Sequence, residues 1–130
     1  MIQFETFTLD NGLRVIVNQD NKTPLVAVNL LYNVGAKNEQ PSATGFAHLF
    51  EHLMFSGSKN FSSYDDAAQM MGAESNAFTN NDYTDVYITL PCDNLETALW
   101  LESDRMTGLN LSPEACEIEK RVVIEEFRQR

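Results

Sequence analysis

Basic residues are scarce in this chain: 9 Lys and Arg stand against 19 Asp and Glu, and the formal net charge is −10 at pH 7. No Lys/Arg cluster offsets the imbalance, which argues against nucleic acid as a partner. The acidity suits a protein that attracts cations, although surface charge alone does not specify a metal site. Cysteine occurs twice, at Cys92 and Cys116, with no metal-like spacing, and both read as reduced core thiols. No apolar run reaches the length that spans a membrane. The opening residues Met1-Ile2-Gln3-Phe4-Glu5 lack both a basic segment and a long apolar one, so no signal peptide is expected. A cytoplasmic location is the expectation, with a periplasmic one left open should a leader have been trimmed. Repeats, low-complexity tracts and linkers are missing too, and 130 residues correspond to one domain or part of one. Histidine is the last scarcity: there are only two, His48 and His52.

What the chain does have is enough apolar material for a core, 43% of its residues. Residues 4–17 read as a β-hairpin around Asp10-Asn11-Gly12. Leu25 to Val34, apolar on both faces, reads as a strand in the middle of a sheet. Residues 35–42 form a polar loop, with Ser42 placed to cap a helix from Ala43 to Phe55 that Ser56-Gly57 ends. A short helix starts at Ser62 or Ser63, runs through Met71 and closes at Gly72. Ala73–Thr79 and Tyr83–Leu90 flank Asn80-Asn81-Asp82 as a second hairpin, ended by Pro91. Asp93, with Glu96 three residues on, suggests a capping box for a third helix to about Thr107. Ser112 and Pro113 open a fourth, which meets no stop signal before Arg130. An unterminated helix leads to the expectation of a chain cut inside an element, part of something longer. The strand count implies a sheet of about four or five strands.

Both histidines fall in one motif, His48-Leu49-Phe50-Glu51-His52. At i and i+4 on a helix the two imidazoles lie one turn apart and can address one ion. Two neutral imidazoles suit zinc, and a carboxylate beside them, Glu51, suits a general base. The pattern is the zinc-protease H-E-x-x-H with its order reversed, the inverzincin arrangement H-x-x-E-H. Histidines at this spacing also occur in cores and on surfaces without metal. Here the neighbours Phe46, Ala47, Leu49, Phe50, Leu53, Met54 and Phe55 are apolar, so the motif's polar groups are expected to be buried and to need partners.

A catalytic zinc takes three protein ligands, so the third must be a carboxylate or a thiolate. The last helix offers Glu114, Cys116, Glu117, Glu119, Glu125 and Glu126. Glu119 and Glu126 lie two turns apart on one face, with Val122 and Val123 between them. On spacing alone that pair reads equally well as rim charges.

The combination of His48-x-x-Glu51-His52 with Glu126 74 residues beyond His52, and Glu119 seven before Glu126, resembles the pitrilysin-type (M16) metallopeptidases. Leu9-Asp10-Asn11-Gly12-Leu13-Arg14-Val15, Gly45-Phe46-Ala47, Ser75-Asn76-Ala77-Phe78-Thr79 and Glu119-Lys120-Arg121-Val122-Val123-Ile124-Glu125-Glu126 resemble them as well, so the likeness covers the whole chain. The resemblance implies an α+β fold, a two-layer sandwich of mostly antiparallel sheet with helices on one face. Residues 1–130 would then be the N-terminal part of a catalytic domain. It further implies one Zn2+ held by His48, His52 and Glu126, with Glu51 as general base and Glu119 as a carboxylate supporting the site. Asn76 and Ala77 would lie on the edge strand that pairs with extended peptide substrate. The activity implied is endopeptidase, by a metal-activated water. A second, related domain or subunit supplies further substrate-binding groups, so the chain alone is expected to be inactive and to self-associate. Two other readings stay open: a non-catalytic peptide-binding or partner subunit of the same family, and a metalloenzyme resembling S-ribosylhomocysteine lyase with Cys116 as third ligand.

Overall fold

The computed structural model describes residues 2–129. Strands β1 (Glu5–Thr8) and β2 (Arg14–Val17) form the first hairpin, pairing antiparallel with Thr6 opposite Ile16. Gly12 makes its turn at φ +88°, where a side chain would be strained, and the Asn11 Oδ1 accepts from the Leu13 N–H. Strands β3 (Leu25–Tyr32), β4 (Glu74–Thr79) and β5 (Thr84–Pro91) form a separate antiparallel sheet in the order β3-β5-β4. The five strands therefore divide between two sheets rather than joining in one. β3, expected at the centre, is an edge strand; β5 holds the centre. The reason lies in the pairing. β5 bonds β3 on one side and β4 on the other, and its alternate residues Val86, Ile88 and Leu90 are sealed beneath helices. The outer apolar residues of β3, Leu25 and Leu31, are half exposed.

Helices α1 (Phe46–Leu53), α2 (Tyr64–Met70), α3 (Leu95–Thr107) and α4 (Pro113–Gln129) complete the described chain. The helical layer lies on the face of the sheet that carries Val86, Ile88 and Leu90, the two-layer α+β arrangement expected. Ile88 and Leu90 with Tyr64, Ala68, Ala98 and Leu101 form the core, the aliphatic side chains Ile88, Leu90 and Leu101 each contributing roughly 1.5–3 kcal/mol on burial. The fourth helix reaches at least Gln129; its expected end at Arg130 lies outside the described residues.

Caps came out in two ways. Ser63 caps α2 by accepting from the Asp66 N–H, and Ser112 Oγ accepts from the Ala115 N–H at the start of α4. The other two expected caps are corrected. α1 begins at Phe46, three residues late, because Gly45 takes φ +92° and breaks the helical run. Ser42 does not cap it; the Glu39 carboxylate does, accepting from Gly45 N and Ala47 N at 2.8 Å each. α1 also stops short of Phe55, with a further turn of chain before Gly57 at φ +106°. At α3 the residues Cys92–Asn94 form a short 3-10 turn, so Asp93 sits before the helix and no side chain caps it. Pro91, expected to stop the second hairpin, is the last residue of β5.

α3 carries charge into the core. Glu102 and Arg105 are buried on the same stripe as Ala98 and Leu101. Arg105 Nε donates to Glu102 Oε2 at 2.7 Å, and the Tyr64 hydroxyl donates to the other carboxylate oxygen. The guanidinium also lies 4.2 Å from the Tyr64 ring centre and 5.9 Å from that of Phe55. Burial, then the Glu102 charge, push the Tyr64 phenol well above its ordinary pKa. Nearby, Ser58 and Asn60 donate to Asp104 and hold its carboxyl below the usual range.

Candidate metal centre

α1 presents His48 and His52 one turn apart, with ring centres 4.9 Å from each other and planes at 76°. α4 crosses α1 and brings Glu126 opposite them. Glu126 Oε2 lies 3.3 Å from His48 Nε2 and 3.6 Å from His52 Nε2. Among the described residues these three form the one group of His, Cys, Asp and Glu donors that converge within 4.8 Å of one another. Ligand atoms at zinc distances of 2.0–2.2 Å and tetrahedral angles stand about 3.3–3.6 Å apart, so the donor set and the two distances to Glu126 fit that ion. Cys116 on α4 is a free, half-buried thiol that does not join the group.

Glu119, two turns before Glu126, meets the far side of the same imidazole: its Oε2 is 3.2 Å from His52 Nδ1. A carboxylate can only accept, so Nδ1 donates and the Nε2 lone pair is left to face Glu126 and His48. The two carboxylates that sequence spacing left ambiguous thus take different places, one at each nitrogen of His52.

Glu51 lies beside them. Its Oε2 is buried and has no hydrogen-bond partner among the described residues. A buried carboxylate oxygen without a donor is costly in a structural setting and common in a working one. The imidazoles are part-buried rather than sealed: side-chain exposure is 26% for His48, 19% for His52 and 41% for Glu126.

A cleft of about 470 Å³ opens over this group, bounded by α1, Glu126 and the whole run Ser75–Thr79 of β4. Asn76 and Ala77 both line it, and Asn76 Oδ1 accepts from the Ala77 N–H at 2.8 Å. β4 is an edge of the sheet, so one row of its backbone groups is unpaired within the described chain. Phe55 and Asp65 also line the cleft, and sequence reasoning singled out neither. Phe55 could have been found from its place three residues after His52. Asp65 carried no signal beyond a usual acidic first turn. On the other flank of α1 lies an apolar groove of about 460 Å³ walled by Tyr32, Phe46, Phe50 and Met54, which holds neither imidazole.

Comparison with known proteins places this arrangement. The sequence pattern of the insulinase family, peptidase family M16, matches residues 14–129, and the chain belongs to that family. It is 40% identical over 129 residues to the zinc protease PqqE of Helicobacter pylori, covering 97% of this chain and 29% of that protein. The crystal structure of a protease from Helicobacter pylori superposes with a TM-score of 0.94 at 37% identity, over 100% of this chain and 32% of that one. The mitochondrial cytochrome b-c1 complex subunit 1 of Homo sapiens is 32% identical over 123 residues, 93% of this chain and 25% of that protein. The chain therefore spans about a third or less of the length of the relatives it matches.

Proposed function

We propose that this chain is the metal-holding part of a zinc endopeptidase that cuts extended peptides. The observation that carries the reading is the approach of His48 Nε2 and His52 Nε2 to Glu126 Oε2, at 3.3 and 3.6 Å, beside the unpartnered oxygen of Glu51. His48, His52 and Glu126 would hold the ion, and Glu119 would fix the His52 ring. Bound there, zinc supplies Lewis-acid polarisation and lowers the pKa of water from 15.7 towards about 7. Glu51 takes the proton of the attacking water, holds it on the buried carboxylate, and passes it to the leaving amine. The peptide lies along β4 near Asn76 and Ala77, where main-chain hydrogen bonds supply affinity and the cleft supplies preference. Groups from a second domain or subunit complete its positioning.

One relative favours a second reading, a subunit that binds partners without cutting. It is the cytochrome b-c1 complex subunit, which its name describes as part of an assembly. The lyase-like reading loses its support, since Cys116 stands outside the converging donors.

The test uses the full-length protein, elemental analysis and a fluorogenic peptide. The parent should hold about one zinc per chain and hydrolyse the peptide. Glu51→Gln should keep the zinc and lose at least about 10²-fold in rate, because it removes the base and no ligand. His48→Ala and His52→Ala should lose the metal. Near-normal turnover by Glu51→Gln would overturn the base assignment. A zinc-loaded parent that cuts nothing would favour the subunit reading.

A further inference from the structure

Three carboxylates line the cleft, Glu51, Asp65 and Glu126, and among the described residues no Lys or Arg lines it. Glu51 and Glu126 have roles in the reading above. Asp65 has none. It stands in the first turn of α2, exposed, and it takes part in none of the ion pairs of the described chain. Its neighbour Asp66 offers the helix terminus the same charge but does not line the cleft. A divalent cation would balance two of the three cleft carboxylates, which among the described residues leaves the third charge facing the cleft.

Asp65 and Ser75–Thr79 bound one cleft together with the imidazoles. A peptide added along β4 would send alternate side chains towards the helical layer, within reach of Asp65 and close to the cleaved bond. Resting on the reading of this cleft as the peptide site, we propose that Asp65 is a specificity-determining residue. It selects substrates with a lysine or arginine within a residue or two of the scissile bond. Acidic side chains at the same place meet a like charge and are rejected.

The experiment uses the full-length, zinc-loaded protein and matched fluorogenic peptides carrying Arg, Ala or Glu at each position flanking the cleaved bond. At one position the kcat/KM ratio of Arg to Ala should be about fivefold, the yield of a single part-exposed ion pair, with Glu below Ala. Asp65→Asn should bring the ratio to one, and Asp65→Lys should invert the order of Arg and Glu. Asp66→Asn makes the same charge change at the next residue and should leave the ratio as it was. An Arg preference that survives Asp65→Asn, or one abolished equally by Asp66→Asn, overturns the proposal, as does a parent with no preference at any position. Binding of the same peptides to the Glu51→Gln protein, followed by anisotropy, reads the ratio without turnover. A preference in binding with no hydrolysis by the parent would sink the peptidase reading and uphold Asp65. Hydrolysis with no preference would do the reverse.

Discussion

The molecule contains two charged clusters of similar composition and opposite character. One is Glu102, Arg105 and Tyr64 between α3 and α2; the other is His48, His52, Glu119 and Glu126 between α1 and α4. In the first, the Arg105 and Glu102 side chains are 1% and 4% exposed, and the acceptors of Glu102 meet donors from both partners. In the second, no side chain is sealed, and the Nε2 lone pair of His52, whose Nδ1 proton goes to Glu119, is directed at the Glu126 carboxylate with no proton between them. In the closed cluster both Glu102 oxygens are met by donors, although Arg105 Nη1 finds no acceptor among the described residues, and the cluster holds elements together. A cation between its donors would complete the open one. Raised in the folded chain, the Tyr64 pKa links the closed cluster to alkaline pH alone: its contribution is present below the unfolded value of about 10 and lost as the pH rises past it.

The largest effect expected from breaking this contrast is in the closed cluster. Arg105→Met leaves the Glu102 carboxylate buried and unpaired, and should cost the full-length protein about 3–5 kcal/mol in denaturant unfolding. Adding Glu102→Leu should recover much of that loss, since a sealed pair can be exchanged for apolar packing. The open cluster should respond in metal affinity instead. Glu119→Gln should weaken zinc binding about 10–100-fold in a competition titration with a chelator, with a smaller change in unfolding. A loss of stability without a change in affinity would make Glu119 a structural residue like Glu102. The smallest effect belongs to a pair in neither cluster. Lys37 and Asp82, 3.3 Å apart and 46% and 72% exposed, should yield less than about 1 kcal/mol on Lys37→Ala. Backbone bonds from Ala36 and Lys37 to Asn80 and Asn81 hold that loop without them.

The open cluster was far more legible in the sequence than the closed one. His48, Glu51 and His52 announce themselves by scarcity and spacing, whereas Glu126 was picked out only by the resemblance to the M16 peptidases, spacing alone leaving it equally well a rim charge. Spacing on one helix could not say which of Glu119 and Glu126 would meet which nitrogen, because that depends on how α4 crosses α1. The closed cluster is visible only in hindsight, as Glu102 and Arg105 at helical spacing from Ala98 and Leu101. Charged residues on an apolar stripe read as its border until packing shows otherwise. The strands and α-helices were recovered as such, since periodicity and turn chemistry are local, whereas the 3-10 turn Ala36–Asn38 lay within what read as a polar loop. The errors fall where a distant partner decides. Glu39 reaches α1 from six residues before Gly45, and the central position of β5 is set by two pairings that no single strand encodes.

α1 has eight residues. A helix of that length has little stability of its own in water, where isolated helices below roughly 12–15 residues are marginal. The turn that brings the two imidazoles together therefore exists by virtue of Glu39 at one end and α4 across its face. In the unfolded chain the donors are dispersed, His52 and Glu126 being 74 residues apart. Any divalent ion taken up by this face selects the folded chain, and at a free concentration of 100 Kd it would add about 2.7 kcal/mol to folding. Removing the ion would then loosen the junction of α1 with α4, a helix that has no buried residue, while the core beneath β5 stayed intact.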